Sequence, residues 1–124
     1  MVALGLVVFG VYNLALGLFM IVAPGPFYEL IGPFGPRNDH YTRDNATFAL
    51  ALGIAALVAV RMERWRVPVL VILAAQFALH ALNHLVDIGA ARPRSAGPID
   101  FALITLGAIV AAALALRAWR RGRA

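Results

Sequence analysis

The sequence predicts an all-α integral membrane protein, a four-helix bundle whose helices cross the bilayer up-down-up-down. Hydrophobic residues make up 62% of the 124 residues and charged residues only 14%, whereas soluble domains have roughly 45–50% and 25%. The apolar residues fall into four runs of roughly the 20 residues that a spanning helix needs. A chain of this length has room for one domain, so residues 1–124 are expected to form a single four-span unit.

The first predicted span covers about residues 2–23 and ends where Pro24 and Pro26 interrupt it. It lacks the basic start of a signal peptide, so we expect it to be retained. The proline- and glycine-rich segment that follows must turn repeatedly and cannot form a long helix. The second span is expected at about residues 40–60, with Asn38 or Asp39 as its N-cap.

Two breaks define the remaining spans. The segment RMERWR, residues 61–66, is expected to separate the second span from the third, which covers about residues 67–88. The segment GAARPRSAG then precedes a fourth span at about residues 98–119, with Pro98 at its first helical position.

The arginines predict the orientation. The 61–66 segment and the C-terminal tail carry seven arginines against one acid, Glu63, whereas the other two loops with their adjoining helix ends hold four arginines against five acids. The positive-inside rule therefore places both termini in the cytoplasm. Because these clusters adjoin apolar spans, they indicate orientation and not a nucleic-acid surface. The absence of cysteine excludes disulfides, thiolate metal sites and iron–sulfur clusters.

A polar stripe interrupts the apolar character of the third span. The segment QFALHALNHLVD, residues 76–87, carries five polar side chains that fall within an arc of about 100° on a helix. Ionisable groups turned towards lipid are costly, so this face is expected to point into the bundle. The polar stripe consists of Gln76, His80, Asn83, His84 and Asp87.

The second helix offers a matching polar face near its outer end, because His40, Arg43, Asp44 and Thr47 follow helical spacing. Asn13 lies at the depth of Gln76 in the first span. We therefore expect the second and third helices to form a polar site that opens outward and ends blind towards the cytoplasm. The candidate catalytic residues are His80, His84, Asp87 and Asp44, and the candidate ligand-binding residues are Arg43, Asn83, Gln76, Asn13 and His40.

A small lipophilic ligand, such as a quinone or an isoprenoid-like molecule, suits this site, because His and Asp exchange protons near pH 7. Binding is the main hypothesis, and conversion of the ligand stays open. A competing hypothesis makes the chain a non-catalytic subunit of a larger redox complex, or a homo-oligomer, whose stripe contacts a partner helix.

The same polar residues also allow simpler roles. Asn13 and Gln76 could form interhelical hydrogen bonds, and Asp44 and Asp87 could pair with Arg43, Arg92 or Arg94. His80 and His84 could bind a metal together with Asp44, Asp87 or His40, or one histidine could ligate haem.

The layout resembles that of the DoxX-like small membrane proteins and their relatives. The resemblance lies in four spans within about 120 residues, in YTRDNATFALALGIAAL at the start of the second helix with Arg43, Leu52 and Gly53, and in a third helix that ends in HLVD. The resemblance implies a multi-pass protein of the bacterial inner membrane. Some relatives in that family are linked to quinone-coupled sulfur oxidation or work beside redox enzymes. The resemblance assigns no catalytic residues and no cofactor.

Overall fold

The computed structural model describes residues 1–122 and is all-α. Four helices are long and apolar enough to cross a membrane, which confirms the four predicted spans. One further helix, α2, is short and lies in the proline-rich segment after the first span. The helices are α1 (Val2–Val22), α2 (Pro24–Leu30), α3 (Asp39–Arg61), α4 (Glu63–Val86) and α5 (Ala96–Arg121).

The starts of α3 and α5 follow local chemistry. The side chain of Asn38 accepts hydrogen bonds from the backbone N–H groups of His40 and Tyr41 at 3.1 and 3.2 Å, so Asn38 is the N-cap of α3. α5 begins at Ala96, so Pro98 is its third residue and not its first. A proline is tolerated there because the first backbone N–H groups of a helix have no intrahelical acceptor.

The break between α3 and α4 is much shorter than predicted, because only Met62 separates the two helices. Arg66 accounts for this sharp turn. Its guanidinium donates to the carbonyls of Ala59 and Val60 at 3.4 and 3.1 Å and pairs with Glu63 at 2.5 Å. The last carbonyls of a helix lack intrahelical partners and carry partial negative charge, so one arginine from the next helix satisfies them.

The helices alternate in direction. Phe34 and Ala91 form an antiparallel β-bridge, and the backbone N–H of Arg92 donates to the carbonyl of Pro33 at 3.2 Å. Residues 31–38 and 87–95 therefore lie together at one end of the bundle, here called the loop end. The opposite end, which carries Met62, is the turn end.

The α1 and α3 helices approach each other closely at small residues. A Cβ atom on Gly53 would lie 2.9 Å from the backbone nitrogen of Leu14 and 3.0 Å from the carbonyl oxygen of Gly10. A Cβ atom on Gly17 would lie 3.0 Å from the carbonyl oxygen of Ala46. Since lipid provides no hydrophobic drive for helices to associate, such close contact is the main source of attraction between them.

The core shared by all four spans lies in the middle and turn-end part of the bundle. Leu6, Leu70 and Leu73 are its largest fully buried side chains. Residues 40–44 and 80–87, which carry most of the predicted site, lie nearer the loop end and outside most of this core. The core consists of Val2, Leu6, Phe9, Ala56, Ala59, Val69, Leu70, Leu73, Phe77, Ala111 and Ala115.

Replacing Gly53 by alanine is expected to destabilise the protein by about 1–3 kcal/mol, because the added methyl group meets the backbone of α1 and overpacks the contact. The melting temperature in detergent, followed by circular dichroism, measures the effect. Gly89→Ala is the matched control, since a Cβ at Gly89 meets nothing within 4 Å. Equal stability of the two variants would contradict the role assigned to the α1–α3 contact.

Candidate functional site

Two histidines of α4 contact each other near the loop end. The Nε2 atoms of His80 and His84 lie 3.1 Å apart, and their ring centroids are separated by 4.7 Å. The four-residue spacing places the two side chains on successive turns of one helix. At this distance one imidazole donates a hydrogen bond and the other accepts it. We call the pair the histidine dyad.

The loop end covers one side of the dyad. The edge-on contact between Phe34 and His84 has a centroid distance of 4.6 Å. Phe34 is held in place by its β-bridge to Ala91, which is fully buried. The two loops at the loop end therefore cover His84 with backbone and an aromatic ring, whereas His80 remains exposed on the surface of the chain.

An aspartate from α5 joins this region. A Cβ at Gly97 would overlap the carbonyl oxygen of Ile88, so only glycine lets the first turn of α5 lie this close to the end of α4. One turn later, Asp100 lies within electrostatic range of His84 and also of Tyr12 on α1. Three spans thus place polar groups at one point near the loop end.

Two buried polar atoms at this point lack hydrogen-bond partners within residues 1–122: Nδ1 of His84 and Oδ2 of Asp100. Buried polar groups are nearly always hydrogen-bonded, so each such atom needs an explanation. A hydroxyl group can donate and accept at once. When Nδ1 of His84 carries a proton, one hydroxyl bonds both atoms, because it accepts from His84 and donates to Asp100. When that Nδ1 carries no proton, the hydroxyl donates to only one of the two atoms unless Asp100 is protonated.

Aromatic rings line the bundle on the turn-end side of the dyad. Phe77 on α4 lies 5.5 Å from Phe9, edge to face, and 6.3 Å from Tyr12. Phe9 and Phe77 are buried, while Tyr12 is about half exposed. The polar cluster therefore borders an apolar aromatic surface, which is the composition of a site for a small lipophilic molecule.

The polar stripe does not point into the bundle, contrary to the sequence-based expectation. His80, Asn83 and Asp87 are exposed, and only Gln76 and His84 are half-buried. The residues of α4 that are buried, such as Leu70, Phe77 and Ala81, lie on a neighbouring face. The α4 helix packs with these apolar residues inward, so His84 lies at the edge of its buried face.

The polar group on α3 does not meet the stripe. His40 Nε2 lies 3.5 Å from Asp44 Oδ2, both side chains are exposed, and Arg43 is exposed as well. Among residues 1–122, no hydrogen bond or ion pair joins this group to the stripe. The reason is packing, because the loop-end half of α3 buries Ala46 and Ala49, and its closest glycine contacts are with α1.

The predicted ion pairs are not formed either. In the described part of the chain, neither Asp44 nor Asp87 lies in a salt bridge with Arg43, Arg92 or Arg94. Asp44 instead contacts His40. Arg92 donates to the carbonyls of Gly89 and Ala91 at 3.3 and 2.9 Å, so its side chain stabilises the loop between α4 and α5.

Asn13 is buried but does not contribute to the cluster. Its side-chain amide donates to the carbonyl of Phe9 at 2.8 Å, one turn earlier in the same helix. The hydrogen bond that this amide forms is therefore within α1 and not between helices. Gln76 is half-buried and has no side-chain hydrogen bond among the described residues.

No metal cluster is found at the stripe in the described residues. Within residues 1–122, no three His, Asp or Glu side chains come together in a way that could hold a metal ion. Two surface cavities, of about 510 and 340 Å³, are lined by residues of the turn end and include no stripe residue. The outward-opening pocket predicted between the second and third helices is not among them.

Three residues of the cluster are not among those predicted from the sequence. Asp100 was counted as a loop acid, although it falls in the first turns of a span, where an aspartate is unusual. Tyr12 is a polar aromatic residue beside Asn13 in a largely apolar helix, which is a weak signal. Phe34 could not be found from the sequence, because its contact with His84 depends on the β-bridge between two loops.

The chain matches no protein-family model, and it has no match among curated proteins or solved structures. The resemblance to DoxX-like proteins stays a prediction from the sequence.

Proposed function

We propose that this polytopic membrane protein binds a small lipophilic molecule through a hydroxyl head group at the histidine dyad and Asp100, or through a carbonyl oxygen that accepts a hydrogen bond from Nδ1–H of His84. Quinones, quinols and isoprenoid-like alcohols are the chemical class. The observation that carries the proposal is the pair of unpartnered buried atoms, Nδ1 of His84 and Oδ2 of Asp100, beside the 3.1 Å contact of the dyad.

The depth of the cluster suits such a ligand. His84 lies two residues before the end of α4, about 3 Å from it, and His80 about 9 Å from it at 1.5 Å per residue. A polar head would lie near the membrane surface, while an apolar tail would extend towards the turn end along the apolar surface of the span. Because His80 is exposed on the chain surface, a ligand can reach it from the lipid phase.

The cluster can also exchange a proton with the head group. If His80 donates to His84 within the dyad, the Nδ1 of His84 carries a proton that it can donate to a ligand oxygen. If His84 donates instead, the same Nδ1 accepts a proton from a ligand hydroxyl. The exposed His80 connects the buried end of the dyad with the surroundings, and imidazole is the side chain best suited to proton exchange near neutral pH.

Binding of a one-isoprene ubiquinol analogue to the protein in nanodiscs tests this proposal. His84→Ala and Asp100→Asn are each expected to weaken binding about tenfold, the equivalent of one hydrogen bond of about 1.4 kcal/mol. Isothermal titration calorimetry gives the affinity, and circular dichroism verifies that each variant is folded. The dimethyl ether of the quinol should bind more weakly, because it has no hydroxyl to donate.

Two variants in α3 serve as controls for this binding experiment. Asn45→Ala changes an exposed polar residue outside the cluster and should leave binding unchanged. His40→Ala separates the site proposed here from the α3–α4 site that the sequence suggested, because only the latter includes His40. Unaltered binding by folded His84→Ala and Asp100→Asn would refute the proposal.

A second candidate function is that of a subunit that pairs with another membrane protein or with its own copy. Gln76 and Asn83 favour it, since both lie in α4, both are at least partly exposed, and neither side chain has a hydrogen bond among residues 1–122. Amide side chains both donate and accept, and they hydrogen-bond across helices in membranes. A partner helix on the stripe would satisfy them.

Cross-linking distinguishes this candidate, and the absence of cysteine makes single-cysteine variants unambiguous. Asn83→Cys in native membranes is expected to give an oxidant-dependent adduct, at twice the mass of the chain for a homodimer and at another mass for a different partner. Leu106→Cys is the control, because Leu106 is an exposed apolar residue of α5. Cross-linking of Asn83→Cys no faster than that of Leu106→Cys would count against a partner on the stripe.

We further propose that the turn end faces the cytoplasm of a bacterial cell and that the loop end faces outward. The turn end carries Arg61, Arg64 and Arg66 with the arginines at the end of α5, which the positive-inside rule places inside. A membrane-impermeant maleimide should label Gly89→Cys in intact cells but Arg64→Cys only after permeabilisation. The reverse labelling pattern would overturn this orientation.

A further inference from the structure

The larger surface cavity lies on α5 at the turn end and is independent of the histidine cluster. It has a volume of about 510 Å³ and is lined by Ala113, Leu116, Arg117, Arg120 and Arg121. All five residues belong to α5, and their spacing places them on one side of the helix. The cavity is therefore an open depression on the outer surface of the bundle, where a spanning helix faces lipid.

The three arginines have no counter-charge within residues 1–122. In that part of the chain, none of their side chains forms a hydrogen bond or an ion pair, and all three are exposed. The acidic side chain that α4 contributes at this end, Glu63, is already paired with Arg66 at 2.5 Å. Three neighbouring guanidinium groups without a carboxylate attract an anion, and their planar donors suit the oxygens of a phosphate.

The remainder of the lining is apolar and lies deeper in the span. Leu116 is half exposed, and Ala113 is a small residue one turn before Arg117, so the helix surface is shallow there. A free phosphate would contact the arginines but gain nothing from this apolar part. A molecule with a phosphate at one end and a hydrocarbon chain at the other contacts both parts.

We propose that this depression binds an anionic phospholipid, with the phosphate of the head group at Arg117, Arg120 and Arg121 and an acyl chain along Ala113 and Leu116. Basic residues at the end of a membrane helix gain from the negative head groups around them, and a basic pocket can hold a specific one. The smaller cavity offers a contrast: it is lined by Met62, Glu63 and Arg64, so its single arginine lies beside an acid.

Trp119 lies between Arg117 and Arg120 in the sequence of α5, so its fluorescence can report the binding of a lipid at this depression. In a Trp65→Phe background it is the remaining tryptophan. The test measures quenching of Trp119 fluorescence in detergent during titration with phosphatidylglycerol brominated on its acyl chains, and with brominated phosphatidylcholine. We expect saturable quenching by phosphatidylglycerol at a concentration at least fivefold lower than that required for phosphatidylcholine.

Substitutions test whether the arginines of the depression bind the phosphatidylglycerol head group. Arg120→Gln and Arg117→Gln should each raise the half-saturating concentration of phosphatidylglycerol at least threefold, while Arg64→Gln, which removes the same charge at the same end, should leave it unchanged. Circular dichroism verifies that each single variant is folded. Equal quenching by the two lipids, or equal effects of Arg64→Gln and Arg120→Gln, would overturn the proposal.

Competition distinguishes a lipid site from a simple anion site. Inorganic phosphate at 100-fold molar excess over the brominated lipid should not displace it, because phosphate lacks the acyl chain that contacts Leu116. Displacement by phosphate alone would assign the arginines to a soluble anion and overturn the lipid assignment.

Discussion

The close backbone contact between α1 and α3 at Gly10, Gly53 and Gly17 determines how the other helices are arranged. Helices in lipid gain little from burying apolar side chains, so close packing of small residues decides which helices pair. With α3 held against α1, the loop-end polar residues of α3 lie away from α4. The α4 helix packs mainly on α5, where Phe77 contacts Gly107 so closely that a Cβ there would lie 2.6 Å from the ring.

The two closely packed pairs share a core of large side chains that lies away from the loop end. Leu6 and Phe9 from the first pair meet Leu70, Leu73 and Phe77 of the second there. The polar cluster lies on the loop-end side of this core, at the edge of the second pair. A site of this kind can have polar atoms without partners because close packing of side chains in the core and at the glycine contacts holds the bundle together, and not the cluster itself.

The two ends of the molecule have different chemistry. At the loop end, backbone hydrogen bonds and aromatic contacts join two loops over His84, and both histidines of the dyad are available for hydrogen bonding. At the turn end, arginines dominate, and they have two distinct roles. Arg66 is used internally, because it satisfies the carbonyls at the end of α3, whereas the α5 arginines that line the depression are exposed. The charge that orients such a protein in a membrane therefore also stabilises a turn and, in our proposal, binds lipid.

The sequence by itself determined the helical class, the four candidate spans and the placement of His80 and His84 on one face of a helix, because each of these depends on residues close together in the chain. It left Asn38 and Asp39 as alternative N-caps, and the structure decided for Asn38. Hydropathy, capping and four-residue spacing are local properties. Only the tertiary structure decided which neighbours the histidines have. The rotation of α4, set by packing of Leu70, Phe77 and Ala81, turned most of the stripe outward, and the approach of Gly97 to Ile88 brought Asp100 to His84. Such contacts join residues on different helices, and their geometry depends on the packing of all four spans at once, so no local pattern predicts them.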